Sequence, residues 1–188
     1  MADTQTLARR TPALAPVASA RVTQVTPLAP ATRFALRIWD AEHAPAGTIA
    51  GFDFSGAINS CSGTAERFAA RLGPDEWLIV APESEGAQVR ADLEQGLIGR
   101  FFSLVDVGSR NCGIRVAGPQ ARDVLNAGIA LDLADGAFPA GSATRTLFGK
   151  ADVVVVRAGD APSFQVECWR SFAPYVFAFL SEVAQEFD

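Results

Sequence analysis

Three times along the chain a strand-like run passes through a short turn carrying proline and emerges as an amphipathic helix, at Pro82, Pro119 and Pro174. Proline suits a helix start because its missing N–H would be unpaired there anyway and its φ is preset. A helix that follows a strand so closely must lay its apolar stripe back on the sheet, so each unit predicts a sheet covered on one side. Several of the strands are separated by short hairpin links, which join antiparallel neighbours and not the parallel ones of a doubly wound sheet. The expectation is an α+β fold of strand–helix units on mostly antiparallel sheet.

Within that frame, residues 34–39 (FALRIW) alternate as a strand and 48–54 form a weaker one. Gly73 and Pro74 mark a turn over 71–75, and 77–80 (WLIV) read as a buried strand. A helix runs from Pro82 to about Leu97, with Val89, Leu93 and Leu97 on one stripe. Strands follow at 101–107 and 112–117, then a helix from Gly118-Pro119 to about Ala127, closed by Gly128. A hairpin of 143–148 and 152–157 turns at Gly149-Lys150, 163–168 adds a strand, and a last helix starts at Pro174. Residues 1–32, rich in Ala, Thr and Pro, read as a flexible arm, and folded structure is expected from about Phe34. Residues 33–188 make a single α+β domain, open to division into two lobes meeting near 99–101.

Much chemistry is excluded by what the chain lacks. Its single histidine, His43, sits in the loop-like Glu42–Gly47 segment, so neither a His-based triad nor a multi-His metal site can be assembled. Neither GxGxxG nor GxxxxGK[ST] occurs, which removes the glycine cradles for dinucleotides and phosphates. A net charge of −5 and a pI near 4.9 argue against a nucleic-acid partner. No apolar run is long enough to span a membrane. Arg9-Arg10 and the Ala-rich run ending Ala18-Ser19-Ala20 resemble a secretion signal only loosely, since Pro12 and Pro16 interrupt it. Cys61, Cys112 and Cys168 are odd in number and form no CxxC pair. They read as small, reduced core residues of a cytoplasmic protein.

What remains points to contacts. Asp106, Asp152 and Glu167 lie in or beside strands, and Glu167, near Trp169 and Arg170, reads as a structural ion pair before a general base. Arg110, Arg145 and Arg170 stand at turns or strand ends among small polar residues. There they can meet carboxylates of a partner chain or an anionic ligand, or pair within the chain. Aromatics concentrate at the C-terminus. If Val176, Phe179, Leu180 and Val183 fill the core face of the last helix, Phe172, Tyr175 and Phe177 are left over. Surplus rings beside arginine are typical of interface hot spots. The candidate interface is therefore Arg110, Arg145, Trp169, Arg170, Phe172, Tyr175 and Phe177, with no catalytic, cofactor-binding or metal-binding residue assigned.

Several segments in order resemble the gamma subunit of heterotetrameric sarcosine oxidase. They are Leu72-Gly73-Pro74-Asp75-Glu76-Trp77-Leu78, Val105-Asp106-Val107 with Arg110-Asn111, and the run from Val116-Ala117-Gly118-Pro119-Gln120 to Leu125. Leu131-Asp132-Leu133, Phe138-Pro139 with Gly141, Thr144-Arg145-Thr146-Leu147 and Trp169-Arg170-Ser171-Phe172-Ala173 continue it. The resemblance covers about residues 34–186. Its pattern often has Gly-Cys-Pro before Leu-Asp-Leu, where this chain has Gly128-Ile129-Ala130, so no cysteine role carries over there.

The resemblance implies a fold similar to the folate-binding domain of glycine-cleavage aminomethyltransferases. It also implies a place in a complex that oxidises sarcosine to glycine. FAD, FMN, NAD and the tetrahydrofolate site would then be carried by the large alpha and beta partner subunits, with a delta subunit as a further partner and no cofactor in this chain. Two readings follow: a non-catalytic assembly subunit, or a folate-type binding module or aminomethyltransferase-like protein that acts by itself. Complexes acting on N-methylglutamate or dimethylglycine would use a similar subunit.

Overall fold

The structure, a computed structural model, describes residues 12–15, 22–39, 45 and 47–187; His43 lies outside them. The first half holds β1 (Gln24–Pro27), β2 (Ala31–Ile38), β3 (Thr48–Ile49), β4 (Phe52–Asp53), β5 (Cys61–Gly63), β6 (Phe68–Arg71) and β7 (Glu76–Pro82). A 3-10 turn at Glu83–Glu85 leads into α1 (Gly86–Gly96), and β8 (Phe102–Asp106) follows. The second half is β9 (Asn111–Ala117), α2 (Ala121–Asn126), β10 (Ser142–Phe148), β11 (Ala151–Arg157), β12 (Ser163–Trp169) and α3 (Ala173–Val183).

Two five-stranded sheets result, ordered β5-β6-β7-β2-β8 and β1-β9-β12-β11-β10, and every pairing within them is antiparallel. The fold is thus the expected α+β class. Helix α1 packs Val89 and Leu93, with Leu97 at its C-terminal end, on Phe34, Leu36, Ile38 and Ile79 of the first sheet. Helices α2 and α3 lie on the second sheet, where Val124, Leu125, Val176 and Leu180 meet Ile114, Val155 and Val166. Each such side chain contributes about 1.5–3 kcal/mol by leaving water.

The sheets differ from expectation in being covered on both faces. Opposite the helices they pack on each other, with Phe68, Leu78 and Val80 of the first against Ala143, Val154 and Val156 of the second. A backbone bridge between Ser60 and Ser142 ties their edges, and Cys61 N–H donates to the Gly141 carbonyl at 2.6 Å. Among the described residues no helix is long and apolar enough to cross a membrane.

Folded structure also begins earlier than Phe34. Within the segment read as a flexible arm, β1 pairs with β9 from Gln24↔Ala117 to Pro27↔Ile114, and β2 starts at Ala31. Such a short polar strand has no period of its own to betray it; its hydrogen bonds come from a neighbour remote in sequence. The chain changes sheet at 28–30, between β1 and β2, and returns at 107–110, after β8, and not near 99–101. The predicted helix at 118–127 is shorter than expected, because Gly118 takes φ 132° and residues 118–120 form a turn ahead of α2. Residues 48–54 split into the β3–β4 hairpin, with Ala50 and Gly51 at positive φ in its turn.

Candidate functional site

Alternation along β12 sends Phe164, Val166 and Cys168 to the helix-covered core, and so turns Gln165, Glu167 and Trp169 toward the other sheet. That second face is not solvated, which decides the fate of Glu167. Its carboxylate accepts from Arg33 of β2 through Nε at 2.6 Å and Nη2 at 3.0 Å, a two-pronged pair with both side chains almost wholly buried. Gln165 adds an Nε2–H bond to Glu167 Oε1 at 2.7 Å, and Arg33 Nη1 donates to the Ala31 carbonyl. Burial pulls the Arg33 guanidinium down, but the charge and hydrogen bonds of Glu167 outweigh it and hold it above its ordinary value. Glu167 is therefore the structural partner the sequence suggested, bound to Arg33 rather than Arg170. The pair clamps the two sheets.

Where β12 ends, the cleft between the sheets opens. Asp106 Oδ1 accepts from Gly108 N–H and shapes the turn into β9, so Arg110 stands beside the end of β12. Arg170 N–H donates to the Arg110 carbonyl at 2.7 Å. The Arg110 guanidinium lies 5.5 Å from the centre of the Trp169 ring and donates through Nε to Asn111. Trp169, 44% exposed, sits 6.4 Å from Phe172, which is half-buried against the core as α3 starts. Across the cleft, Arg145 of β10 is bound to Glu76 of β7, and Glu76 also accepts from Arg37 at 3.0 Å. The hydrogen bond from Arg145 to Glu76 raises the arginine above its ordinary value. Arg110, Arg145 and Trp169 line one small cavity of about 60 Å³ together with Glu76, Asp152 and Glu167.

Of the seven residues predicted from sequence, Arg110, Trp169, Arg170 and Phe172 come together in one patch, and Arg145 faces them already engaged by Glu76. Tyr175 reaches Phe179 at 6.3 Å and packs its hydroxyl over Gly149. Phe177 is half-buried against the core. Residues two positions apart on a helix point about 200° apart, so Tyr175 and Phe177 cannot share a face.

Sequence reasoning missed a second exposed pair, Trp39 at 71% and Phe101 at 76%, whose rings meet edge-on at 6.1 Å. The outward position of Trp39 in the alternating FALRIW run was a usable signal. It also missed two open hollows of about 320 and 520 Å³ that share Glu66, Arg115 and Gln165. The cysteines were read as separate core residues. Cys112 and Cys168 instead face each other across β9 and β12 with sulfurs 3.9 Å apart, while Cys61 is alone and burial pushes its thiol up to about 12. No spacing rule could pair them, since the register belongs to the sheet.

Comparison with known proteins gives one family. Residues 43–186 match the model described as the sarcosine oxidase gamma subunit family. The chain is 30% identical over 121 residues to a sarcosine oxidase subunit gamma of Arthrobacter sp., covering 64% of this chain and 59% of the relative. It is 30% identical over 116 residues to the same subunit of Corynebacterium sp. (strain P-1), covering 62% and 56%. The matches thus span less than two thirds of these relatives' length. In fold it is similar to a chain of the heterotetrameric sarcosine oxidase from Corynebacterium sp. U-96 in complex with pyrrole 2-carboxylate, with TM-score 0.76 and 24% identity over 92% of this chain and 88% of that one. It is also similar to the glycine cleavage system aminomethyltransferase T of Bartonella henselae, with TM-score 0.63 and 16% identity over 85% of this chain and 45% of that one.

Proposed function

The chain belongs to the sarcosine oxidase gamma subunit family, and on that premise we propose that it is a non-catalytic gamma subunit of a heterotetrameric sarcosine oxidase in a bacterial cytoplasm. Its role is to hold alpha, beta and delta partner chains. In the alpha and beta chains FAD, FMN, NAD and tetrahydrofolate support oxidative demethylation of sarcosine to glycine, with methylene-tetrahydrofolate or formaldehyde and hydrogen peroxide as products. The observation that carries this reading is the patch at the cleft mouth, where Trp169 stays exposed with Arg110 over its face and Phe172 beside it. An aromatic ring backed by arginine and rooted in a rigid strand end can bury area on a partner at little cost in side-chain freedom.

Gentle purification of the tagged chain, with native mass and a visible absorbance spectrum, tests the proposal. A large assembly carrying flavin absorbance is expected; a colourless monomer would overturn it. The patch is tested by Trp169→Ala and Arg110→Ala. Each is expected to weaken association by about 2 kcal/mol, roughly thirtyfold, with the far-UV spectrum and melting temperature of the free chain unchanged.

The hollows around Arg115 and Glu66 favour a second reading, a stand-alone binder of a reduced folate, because they place a cation and a carboxylate at one opening. Titration of the free chain with a reduced folate separates the two, since saturable binding lost in Arg115→Ala belongs only to the second. The same subunit in a complex acting on N-methylglutamate or dimethylglycine would be recognised by the substrate that bleaches the flavin.

A further inference from the structure

We propose that Cys112 and Cys168 form a peroxide-reactive dithiol, a modification site at which Cys112 is oxidised first and Cys168 closes a reversible disulfide. The two residues are direct partners in the β9–β12 ladder, and their side chains leave the sheet on the same face. Leu28 N–H donates to the Gly113 carbonyl while Arg170 N–H donates to that of Arg110, so even-numbered residues of β9 turn their backbone groups to β12. Cys112 and Cys168 are therefore a hydrogen-bonded pair, for which the Cα separation is about 5.5 Å, well inside the range a disulfide spans. Closing the sulfurs from 3.9 Å to bonding distance, about 2.0 Å, needs rotation of the side chains and a local approach of the two strands, since opposed Cβ atoms stand about 4.5–5.5 Å apart in such a ladder and about 3.5–4.5 Å apart in a disulfide.

The two thiols are not equivalent. Cys168 is buried in the core under the helices. Cys112 is half-buried and lines a cavity of about 50 Å³ where β1 leaves the edge of β9, walled by Ala13, Leu14, Leu28, Arg33 and Arg170. A water needs only about 10–15 Å³ on this measure, so a molecule of peroxide's size has room. The hydrogen bond between the two sulfurs holds the Cys112 thiol below its ordinary value against burial and Glu167, with Arg33 and Arg170 assisting, and the Cys112 sulfur also lies 3.9 Å from the Cys168 carbonyl, to which it can donate. The same hydrogen bond and burial push Cys168 up. Access assigns the roles: the cavity reaches Cys112, the nucleophile, while the buried Cys168 is the resolving thiol.

The oxidant is hydrogen peroxide, a product of the reaction proposed above, although the chemistry of the pair does not depend on that source. The Cys112 thiolate attacks one peroxide oxygen; an S–O bond forms, the O–O bond breaks, and the departing hydroxide takes a proton to leave as water. The Cys168 sulfur then attacks the Cys112 sulfenic acid; the S–S bond forms, the S–O bond breaks, and a second water leaves. Two thiols lose two electrons in all and one peroxide is reduced to two waters.

The test uses the chain as purified, with any chains that accompany it, exposed to reagent peroxide, quenched by alkylation and digested without reductant. The expected result is a Cys112–Cys168 cross-linked peptide that dithiothreitol abolishes, with Cys61 still alkylated as a free thiol after unfolding. Cys168→Ser should leave Cys112 trapped by dimedone as the sulfenic acid, and Cys112→Ser should leave Cys168 reduced. The proposal is overturned if both thiols of the wild-type chain are recovered free, or if Cys168 oxidises as fast in Cys112→Ser. Because peroxide is supplied, failure here is distinct from failure to find the oxidase complex.

Discussion

Arg33 and Glu167 show what one pair of residues does to the sheet-to-sheet contact. Between apolar faces a charge must be matched, and here a carboxylate takes two bonds from a guanidinium and a third from Gln165. Glu167→Gln keeps the shape but leaves Arg33 uncompensated, and should lower unfolding free energy by about 3–5 kcal/mol in urea titration. Replacing Arg33, Glu167 and Gln165 together by Met, Leu and Leu should recover most of that loss, because it is the unpaired charge that costs. The strand and the ion-pair role of Glu167 were readable from sequence, but the partner was not, because Arg33 fell at the edge of the segment taken for a flexible arm. Alternation says which side chains share a face; it does not say whether that face meets water or a second sheet.

Helix α2 makes the same point for an element. Its apolar residues Ala121, Val124 and Leu125 face inward as their spacing requires. Gly128 beyond it looks in sequence like a left-handed terminator, yet it is not among the glycines of positive φ, and Ala127 before it is still right-handed. What requires glycine there is room, since a Cβ would stand 2.6 Å from the buried ring of Phe148 in β10. Gly128→Ala should therefore destabilise by about 1–3 kcal/mol by crowding Phe148, and pairing it with Phe148→Leu should relieve part of the loss; thermal melts of the single and double variants check this. The long strands and α1 and α3 were legible because each carries its own period. The short β5 and β6 were not, since Phe68-Ala69-Ala70-Arg71 acquires strand form from β7, and Cys61-Ser62-Gly63 from β6, and neither from propensity.

At the scale of the whole molecule, the two sheets share one apolar layer, one buried ion pair and an edge-to-edge bridge. They should melt as one unit. Tryptophan fluorescence, reporting Trp39 and Trp77 in or beside the first sheet and Trp169 at the end of the second, should follow the same transition as far-UV circular dichroism. Separate midpoints would mean that the sheets are independent lobes. The resemblance read from sequence reached the right family because its motifs sit at turns and strand ends, where local chemistry is explicit. It could not place the open hollows or the dithiol, which arise from pairings remote in sequence.

The clamp between Arg33 and Glu167 spans 134 positions of the chain, and this has a consequence for synthesis. At about 5–20 residues added per second, Arg33 waits on the order of ten seconds for its counter-charge to be made. Strand β1 waits in the same way for β9, and the first sheet for the sheet that covers its inner face. During that interval a nascent chain shows a half-finished apolar layer holding a lone cation, which favours occupancy by a chaperone over native closure. A fragment released before β12 could not seal its two layers, so the cell has a physical criterion for rejecting truncated copies.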